Sequence, residues 1–598
     1  MQPTTDILVR IRNNSGNNKE EVFTKLYRYL LRPDLYYEAY KNLYANNGAA
    51  TKGVNEDTAD GFSKGKVESV IQALTDETYQ PAPVRRTYIE KKNNPNKKRP
   101  LGIPTFTDKL VQEVLRMVLE AVYEPIFLDC SHGFRPNRSC HTALVSLKKE
   151  FNGARWFIEG DIKGCFDNIN HVVLVGLLTN KVKDARLIKL ICKFLKAGYV
   201  ENWQYHSTHS GTPQGGIISP LLANIYLHEL DKFVMKLKAE FDRPATYDHT
   251  TEYNRLQRWR ARIKPKIAAA EGAEREALIA QTRTWRKELL KTPCKSQTDK
   301  KIKYIRYADD FLIAVNGSRE ECVEIKRKLA EFIGQTLKME LSEEKTLITH
   351  SNEYARFLGY DVRVRRDDKI KHGGAGNRAK RTLNNLTELS VPFDDKILKF
   401  LFSKGVVEQK AGGTLFSIAR PSLFRQTDLE IVSTYNAELR GICNYYSLAG
   451  NFNKLGYFAY LMEYSCLKTL AGKHKTTIAK VIRQHNDEKG NWGIPYKTMG
   501  GEKRCYFADY TEAKKVRNAS DIITNATMIN GSTRTTFEQR LNANVCELCG
   551  NTQSDHYEIH HVHKVKDLKG KEPWERAMIA KRRKTMVACR ECHKEIHR

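Results

Sequence analysis

The chain has 598 residues, with 100 lysines and arginines against 70 acidic residues and a net charge of +30. At ~150 residues per domain this length suggests about four domains. No apolar run reaches the ~20 residues of a membrane-crossing helix, and the polar N-terminus MQPTTDILVRIRNNSGNN lacks a signal peptide's apolar stretch, so neither a membrane role nor secretion is expected and the cytoplasm is the default. A basic surplus of this size favours nucleic acid, because each phosphate contact releases counterions. No amphipathic lysine-rich helix or lipidation signal supports the alternative of an anionic membrane surface.

In chain order, residues 1–80 read as mainly helical, with Val22, Leu26, Leu30, Leu31 and Leu35 near helical spacing across Glu20–Tyr44. Residues 81–110 are basic, with Pro and Gly marking turns, and a helix is expected over 111–127. From 155 to 360 short β-rich runs alternate with helical ones, which predicts a mixed α/β domain whose clearest strands are WFIEGD and IKYIRYADDFLIAV. Residues 251–292 are charged and poor in large apolar side chains, as expected of an inserted pair of solvated helices. Residues 385–485 read as helical, 486–540 as polar and irregular, and 541–598 as a compact module rich in Cys and His.

The YADD run at 307–310 lies between two predicted strands, which puts Asp309 and Asp310 at a hairpin tip. Adjacent carboxylates there repel each other unless a cation compensates, and magnesium takes carboxylate and phosphate oxygens. Asp161 closes the WFIEGD strand and supplies a third carboxylate, so a two-magnesium polymerase centre is expected. A plain acidic turn is the bland alternative. In the C-terminal module, Cys546-x-x-Cys549 and Cys589-x-x-Cys592 have the spacing of a structural zinc site.

The motifs KRPLGIPTFTDKLVQ (98–112), SHGFRPNRSCHTAL (131–144), GTPQGGIISPLLANIYL (211–227), LSEEKT (341–346) and FLGY (357–360) surround YADD in a fixed order. In that order they resemble the reverse-transcriptase domain of mobile group II intron proteins, over roughly residues 20–365. The run LRGICNYYSLAGNFNKLGYFAYLMEYSCLKTLAGKHKTT (439–477) resembles the maturase domain of the same proteins, and YEIHHVHKV with CHKEIH resembles an H-N-H nuclease. Overall the chain is similar to bacterial group II intron-encoded proteins of subtype IIA.

That resemblance implies a multidomain α/β and α fold: a right-hand polymerase with α+β fingers and palm and a helical thumb, followed by a zinc-stabilised ββα-metal nuclease domain. The implied divisions are an RNA-binding extension (1–80), fingers and palm (81–380, with the helical insertion 251–292), maturase thumb (381–485), DNA-binding segment (486–540) and H-N-H endonuclease (541–598). Lys91, Arg99, Phe166, Gln214, Gly215 and Lys345 are the implied nucleotide- and primer-binding residues, and Lys91 also reads as a solvated charge. Arg440, Tyr445, Tyr446, Lys468, Lys473 and Lys475 are candidate RNA contacts, with a tyrosine-rich core as the alternative. In the nuclease, His560, His593 and His597 are the implied ligands of a divalent ion, magnesium by expectation, and His561 is the general base. The pattern departs from the family at its middle Asn, where Lys584 and Thr585 stand. The implied partners are the protein's own intron RNA in a ribonucleoprotein, double-stranded target DNA and deoxynucleotides, without a membrane; a homodimer is an open alternative, as is a splicing cofactor with polymerase and nuclease remnants. The implied setting is bacterial cytoplasm, with intron RNA and nucleoid DNA.

Overall fold

The computed structural model describes residues 4–598 except 47, 92–93, 209, 213–214, 245–248, 295–298, 368, 374–377, 381, 411, 499–500 and 513–536. The N-terminal region is helical over Thr4–Asn17, Pro33–Tyr44 and Lys64–Thr75, with a two-residue strand β1 (Phe62–Ser63) before the last. The periodic run expected over Glu20–Tyr44 is broken. Arg32 is extended (φ −99°, ψ 120°), as a residue before proline tends to be, and only a short 3-10 turn, Tyr27–Leu31, precedes it.

The basic segment 81–110, in which Pro and Gly are expected to mark turns, forms a long hairpin, β2 (Val84–Lys91) and β3 (Asn94–Ile103). The following helix, Phe106–Tyr123, begins five residues before the expected 111, because the Thr105 side chain caps it by accepting from the Asp108 N–H. Most of that helix is buried, which places it at the centre of the N-terminal core.

Strand β4 (Trp156–Asp161) follows, then β5 (Tyr199–Glu201) and β6 (Gln204–His206), which extend the first hairpin into a sheet of order β3-β2-β5-β6. Strands β7 (Lys301–Tyr307), β8 (Asp310–Asn316) and β9 (Ile348–His350) join β4 in a second sheet of order β7-β8-β4-β9. Alternation along β4 and β8 sends side chains into two cores. Ile158, Phe311, Ile313 and Val315 face the N-terminal core, while Phe157, Leu312 and Ala314 face the helical region downstream.

The expected insertion is a helical hairpin, Thr251–Ala269 and Gly272–Lys291, held by stacked Trp259 and Trp285 and by the Trp285 indole N–H donating to the Leu256 carbonyl. Beyond the second sheet, strands Ala355–Phe357, Tyr360–Val364 and Thr387–Ser390 lead to helices Asp428–Tyr445, Leu455–Lys473 and Ile478–His485. The segment expected to be irregular contains a regular antiparallel hairpin, Gly493–Thr498 with Gly501–Tyr506, docked by the Asn436 amide donating to the Tyr506 carbonyl. Much of the remainder of that segment lies outside the described residues.

The C-terminal module has a helix Phe537–Asn542, a hairpin of Tyr557–His561 with Thr585–Cys589, and helices Pro573–Lys581 and Arg590–Ile596. It does not stand apart. Strand β1, nearly 500 residues upstream, pairs antiparallel with Tyr557–His561 and makes the hairpin three-stranded, with Phe62 opposite Ile559. Phe62, Phe537, Leu541, Ile559 and Val587 share one apolar core with the N-terminal helices.

Candidate functional sites

Tyr307 and Asp310 are register partners, so Ala308 and Asp309 form a two-residue hairpin turn. Ala308 takes φ +55°, the left-handed value that such turns require. Gly133 lies against this turn, and a Cβ there would come within 2.3 Å of the Ala308 nitrogen, so only glycine lets the two backbones approach. Asp161 is opposite Asp310 in the β4–β8 register, which brings the three expected carboxylates to one end of the sheet.

Burial raises the pKa of Asp309. Burial, then the charges of Asp309 and Asp161, push Asp310 up to about 7. Three carboxylates so placed do not all ionise comfortably on their own, and the donor set fits hard divalent cations. Lys345 reaches this cluster, its Nζ 2.7 Å from Asp161 Oδ2, and its pKa is raised by that hydrogen bond.

The turn has a buried scaffold that the sequence did not single out. Arg306 is fully buried and paired with Asp231 at 2.6 and 2.7 Å. It donates onward to the Ala308 carbonyl (2.9 Å), the Asn224 side chain (3.2 Å) and the Ser131 hydroxyl (2.9 Å). Asn224 in turn donates to the Gly133 carbonyl at 2.8 Å.

Around the carboxylates, Arg99 on β3 is exposed, and its charge lowers the pKa of Asp309 against the burial that raises it. Phe166 follows β4 by five residues and meets the exposed Phe134 ring edge to face, 6.2 Å between centroids. Gly215 has φ +109°, and a Cβ on it would come within 2.5 Å of the Gly102 carbonyl oxygen on β3. Gln214 lies outside the described residues. Lys91 is placed by its backbone at the end of β2, and its side chain is likewise outside the description.

In the helical region the candidate RNA contacts divide. Tyr445 and Tyr446 do not offer free faces for bases. Tyr446 is buried, and their hydroxyls donate to the carbonyls of Leu358 (2.5 Å) and Gly359 (3.1 Å), in the FLGY turn. Lys468 donates to the Ser417 carbonyl, and Lys473 pairs with Asp428, so both brace the region internally. Arg440 and Lys475 are exposed, Arg440 with Glu512 3.8 Å away. The helix Leu455–Lys473 also presents Tyr457, Tyr460 and Tyr464 as a solvent-facing row.

In the C-terminal module, one sulfur from each of Cys546, Cys549, Cys589 and Cys592 lies within 4.8 Å of the others, which suits a tetrahedral metal. A second cluster joins His560, His593 and His597 with Asp60, a residue that the sequence reading missed. Asp60 oxygens lie 3.2 Å from His560 Nδ1, 3.3 Å from His593 Nε2 and 2.8 Å from His597 Nε2. His593 Nδ1 is held by the Glu558 carboxylate, which turns Nε2 toward the cluster. His560 is 4% exposed; its ring nitrogens make no hydrogen bond of good geometry, and its Nδ1 has Asp60 Oδ1 as its charged neighbour.

His561 is also buried, which lowers its pKa and favours the uncharged ring. Its backbone N–H donates to Asp60 Oδ1 at 2.6 Å, and its Nε2 lies 2.9 Å from the carbonyl oxygen of Tyr44. Lys584, at the place of the family's Asn, points to the Ala45 carbonyl instead (3.5 Å).

Comparison with known families assigns these regions separately. A reverse transcriptase (RNA-dependent DNA polymerase) family model matches residues 89–242 and 282–362, passing over the whole of the first inserted helix and the first half of the second. A type II intron maturase model matches 384–532, and an AI2M/AI1M-like HNH endonuclease model matches 546–593. The Group II intron-encoded protein LtrA of Lactococcus lactis subsp. cremoris is 59% identical over 597 residues, covering 100% of this chain and 99% of that protein. An uncharacterized 91 kDa protein in a cob intron of Schizosaccharomyces pombe is 36% identical, over 95% of this chain and 69% of its own length. A putative COX1/OXI3 intron 2 protein of Saccharomyces cerevisiae is 31% identical, over 99% and 68%.

Proposed function

Because the chain belongs to the group II intron-encoded proteins, we propose that it is an RNA-directed DNA polymerase that also acts as a maturase for its own intron RNA and as a DNA endonuclease. The observation that carries the polymerase is the meeting of Asp161, Asp309 and Asp310 at one sheet end, within a reverse-transcriptase match. In this reading the β3-β2-β5-β6 sheet belongs to the fingers, the β7-β8-β4-β9 sheet is the palm, and the helices from Asp428 to His485 form the thumb. The working divisions remain 1–80, 81–380, 381–485, 486–540 and 541–598. The partners are intron RNA, double-stranded DNA and deoxynucleotides, which suits a charge of +30. No helix among the described residues is long and apolar enough to cross a membrane. The setting we propose is that of intron RNA and nucleoid DNA in a bacterial cytoplasm.

In DNA synthesis the primer 3′-oxygen bonds to the α-phosphorus of a deoxynucleotide as the bond to pyrophosphate breaks. Asp161, Asp309 and Asp310 would hold two magnesium ions, which would supply positive charge to the attacking and leaving oxygens. The chain's own residues position the rest. Arg306 fixes the turn that carries Asp309, and Lys345 holds Asp161. In this reading Arg99 offers charge to the triphosphate, and Phe166 is the aromatic ring that excludes a ribose 2′-hydroxyl. Gly215 lets the loop beside the incoming base approach β3. The Leu358–Gly359 turn, pinned by Tyr445 and Tyr446, supports the primer end.

The four cysteines hold a structural zinc ion in this proposal. In the nuclease, His560, His593 and His597 would hold a divalent ion, which would offset charge on the scissile phosphate. His561 takes a proton from the attacking water. The new bond forms between water oxygen and phosphorus, the P–O3′ bond breaks, and the departing oxygen gains a proton from solvent. The resulting 3′-hydroxyl primes copying of intron RNA inserted in the other strand.

Two assays on the purified chain test this reading. Magnesium-dependent extension of a DNA primer on RNA is expected in the wild type. Asp309→Asn should abolish it while leaving RNA affinity within about twofold, since the loss is confined to transition-state charge stabilisation. Equal loss of both would make the aspartate structural. Excision of the flanking intron RNA at near-physiological magnesium should depend on the protein; no stimulation by folded, RNA-bound protein would remove the maturase role.

A further inference from the structure

The nuclease chemistry is assembled from opposite ends of the chain. Asp60 lies 533 residues from His593 in sequence, yet its carboxylate sits among all three histidines of the cluster. It is held there by a built interface. The Gly61 N–H donates to the Ile559 carbonyl at 3.0 Å, and β1 continues the pairing with Phe62 opposite Ile559. The Phe62 ring stacks on Tyr40 at 4.1 Å, and Phe537 closes the same aromatic cluster 5.2 Å from Tyr40. The N-terminal region therefore completes the module's sheet and core as well as reaching its histidines.

The same interface reaches His561. Its Nε2 faces the Tyr44 carbonyl, which can only accept, so Nε2 carries the proton and Nδ1 keeps the free lone pair. Fixing that tautomer and ring angle is a task for a neighbouring polar group, and the side chain at the family's Asn position, Lys584, is turned away to Ala45.

Resting on the nuclease reading above, we infer that the N-terminal region is part of the nuclease active site: Asp60 is the fourth ligand of the divalent ion, and the Tyr44 carbonyl is the positioning group for the general base His561. His560 is buried with its Nδ1 3.2 Å from Asp60 Oδ1, and one donor atom from each of Asp60, His560, His593 and His597 lies within 4.8 Å of the others. A carboxylate added to three neutral imidazoles offsets one of the ion's two charges and widens the donor set to mixed nitrogen and oxygen. As a consequence, DNA nicking requires the module to be docked on the polymerase body, which keeps the new 3′ end at a fixed offset from the polymerase centre.

The test uses the full chain and Mn2+ as the probe. Pulsed electron paramagnetic resonance detects nitrogen coupling from imidazole ligands, which separates this ion from one held by the all-carboxylate polymerase site. Asp60→Asn keeps the side chain's shape, and primer extension by the variant reports that the chain is folded. The expected result is a loss of about 10–100-fold in affinity for the nitrogen-coupled Mn2+, the range seen when a metal site's supporting groups are removed. DNA nicking should weaken in step, and excess Mn2+ should partly restore it. Unchanged affinity in Asp60→Asn would remove Asp60 from the coordination sphere while leaving the nuclease reading intact. Tighter binding or faster nicking would make Asp60 a plug and overturn the proposal. A wild-type chain with no nitrogen-coupled Mn2+, or nicking that survives His561→Ala, would instead sink the nuclease reading on which the proposal rests.

Discussion

The guanidinium of Arg306 donates to the carbonyl of Ala308, 2.9 Å away, in the turn that carries Asp309. It is fully buried, and its charge is balanced by Asp231. The polymerase carboxylates thus stand on an ion pair with no access to solvent. Such a pair adds little net stability when intact, but the loss of one partner leaves a buried charge uncompensated.

Asp231→Asn should therefore destabilise the region around the two sheets by about 3–5 kcal/mol. Thermal unfolding followed by tryptophan fluorescence should show a lowered first transition, and primer extension should fall because the turn loses its anchor. A transition at the wild-type temperature, with normal extension, would mean that Arg306 finds sufficient partners in Asn224, Ser131 and Ala308.

Tyr445 and Tyr446 provide a test of what the aromatic run in the helical region does. Their hydroxyls bond to the Leu358 and Gly359 carbonyls. Each such bond contributes about 0.5–1.5 kcal/mol. The double change Tyr445→Phe, Tyr446→Phe should raise KM for primer–template by about 5-fold or more, with intron RNA affinity unchanged, because the bonds meet at the turn and not at an RNA surface. A selective fall in RNA affinity would restore both tyrosines as RNA contacts.

The four-cysteine cluster predicts about one zinc ion per chain, measurable by atomic emission. Cys549→Ser should release it. Because Cys546, Cys589 and Cys592 join the core shared with the N-terminal region, the release should loosen the nuclease module and abolish nicking. Primer extension should persist, since none of the three aspartates is carried by that module. Zinc retained in full by the variant would show that the sulfurs are not its ligands.

The polymerase carboxylates were legible in the sequence because the features that place them are local. Two strand-forming runs and a two-residue turn put Asp309 and Asp310 at a hairpin tip, and Asp161 ends a strand of its own. The inserted helices and the cysteine pairs were visible for the same reason: short-range periodicity and spacing carry them. The helix expected across Glu20–Tyr44 failed locally too, since the constraint of Pro33 on Arg32 outweighed the apolar spacing.

What escaped the sequence depends on contacts whose partners lie far along the chain. Arg306 looked like one strand residue among many until Asp231, 75 residues away in sequence, came beside it. Tyr445 and Tyr446 looked like stacking platforms, and only the packing of the helices on the FLGY turn showed where their hydroxyls go. The segment TADGFSK carries no nuclease signature; Asp60 enters the histidine cluster because β1 completes the C-terminal sheet and Phe62 shares its core. The sequence by itself determined which chemical groups are present and the short-range geometry of the polymerase turn. Tertiary structure alone decided which distant groups meet, because burial of shared apolar surface, not any local preference, brings the two ends of the chain together.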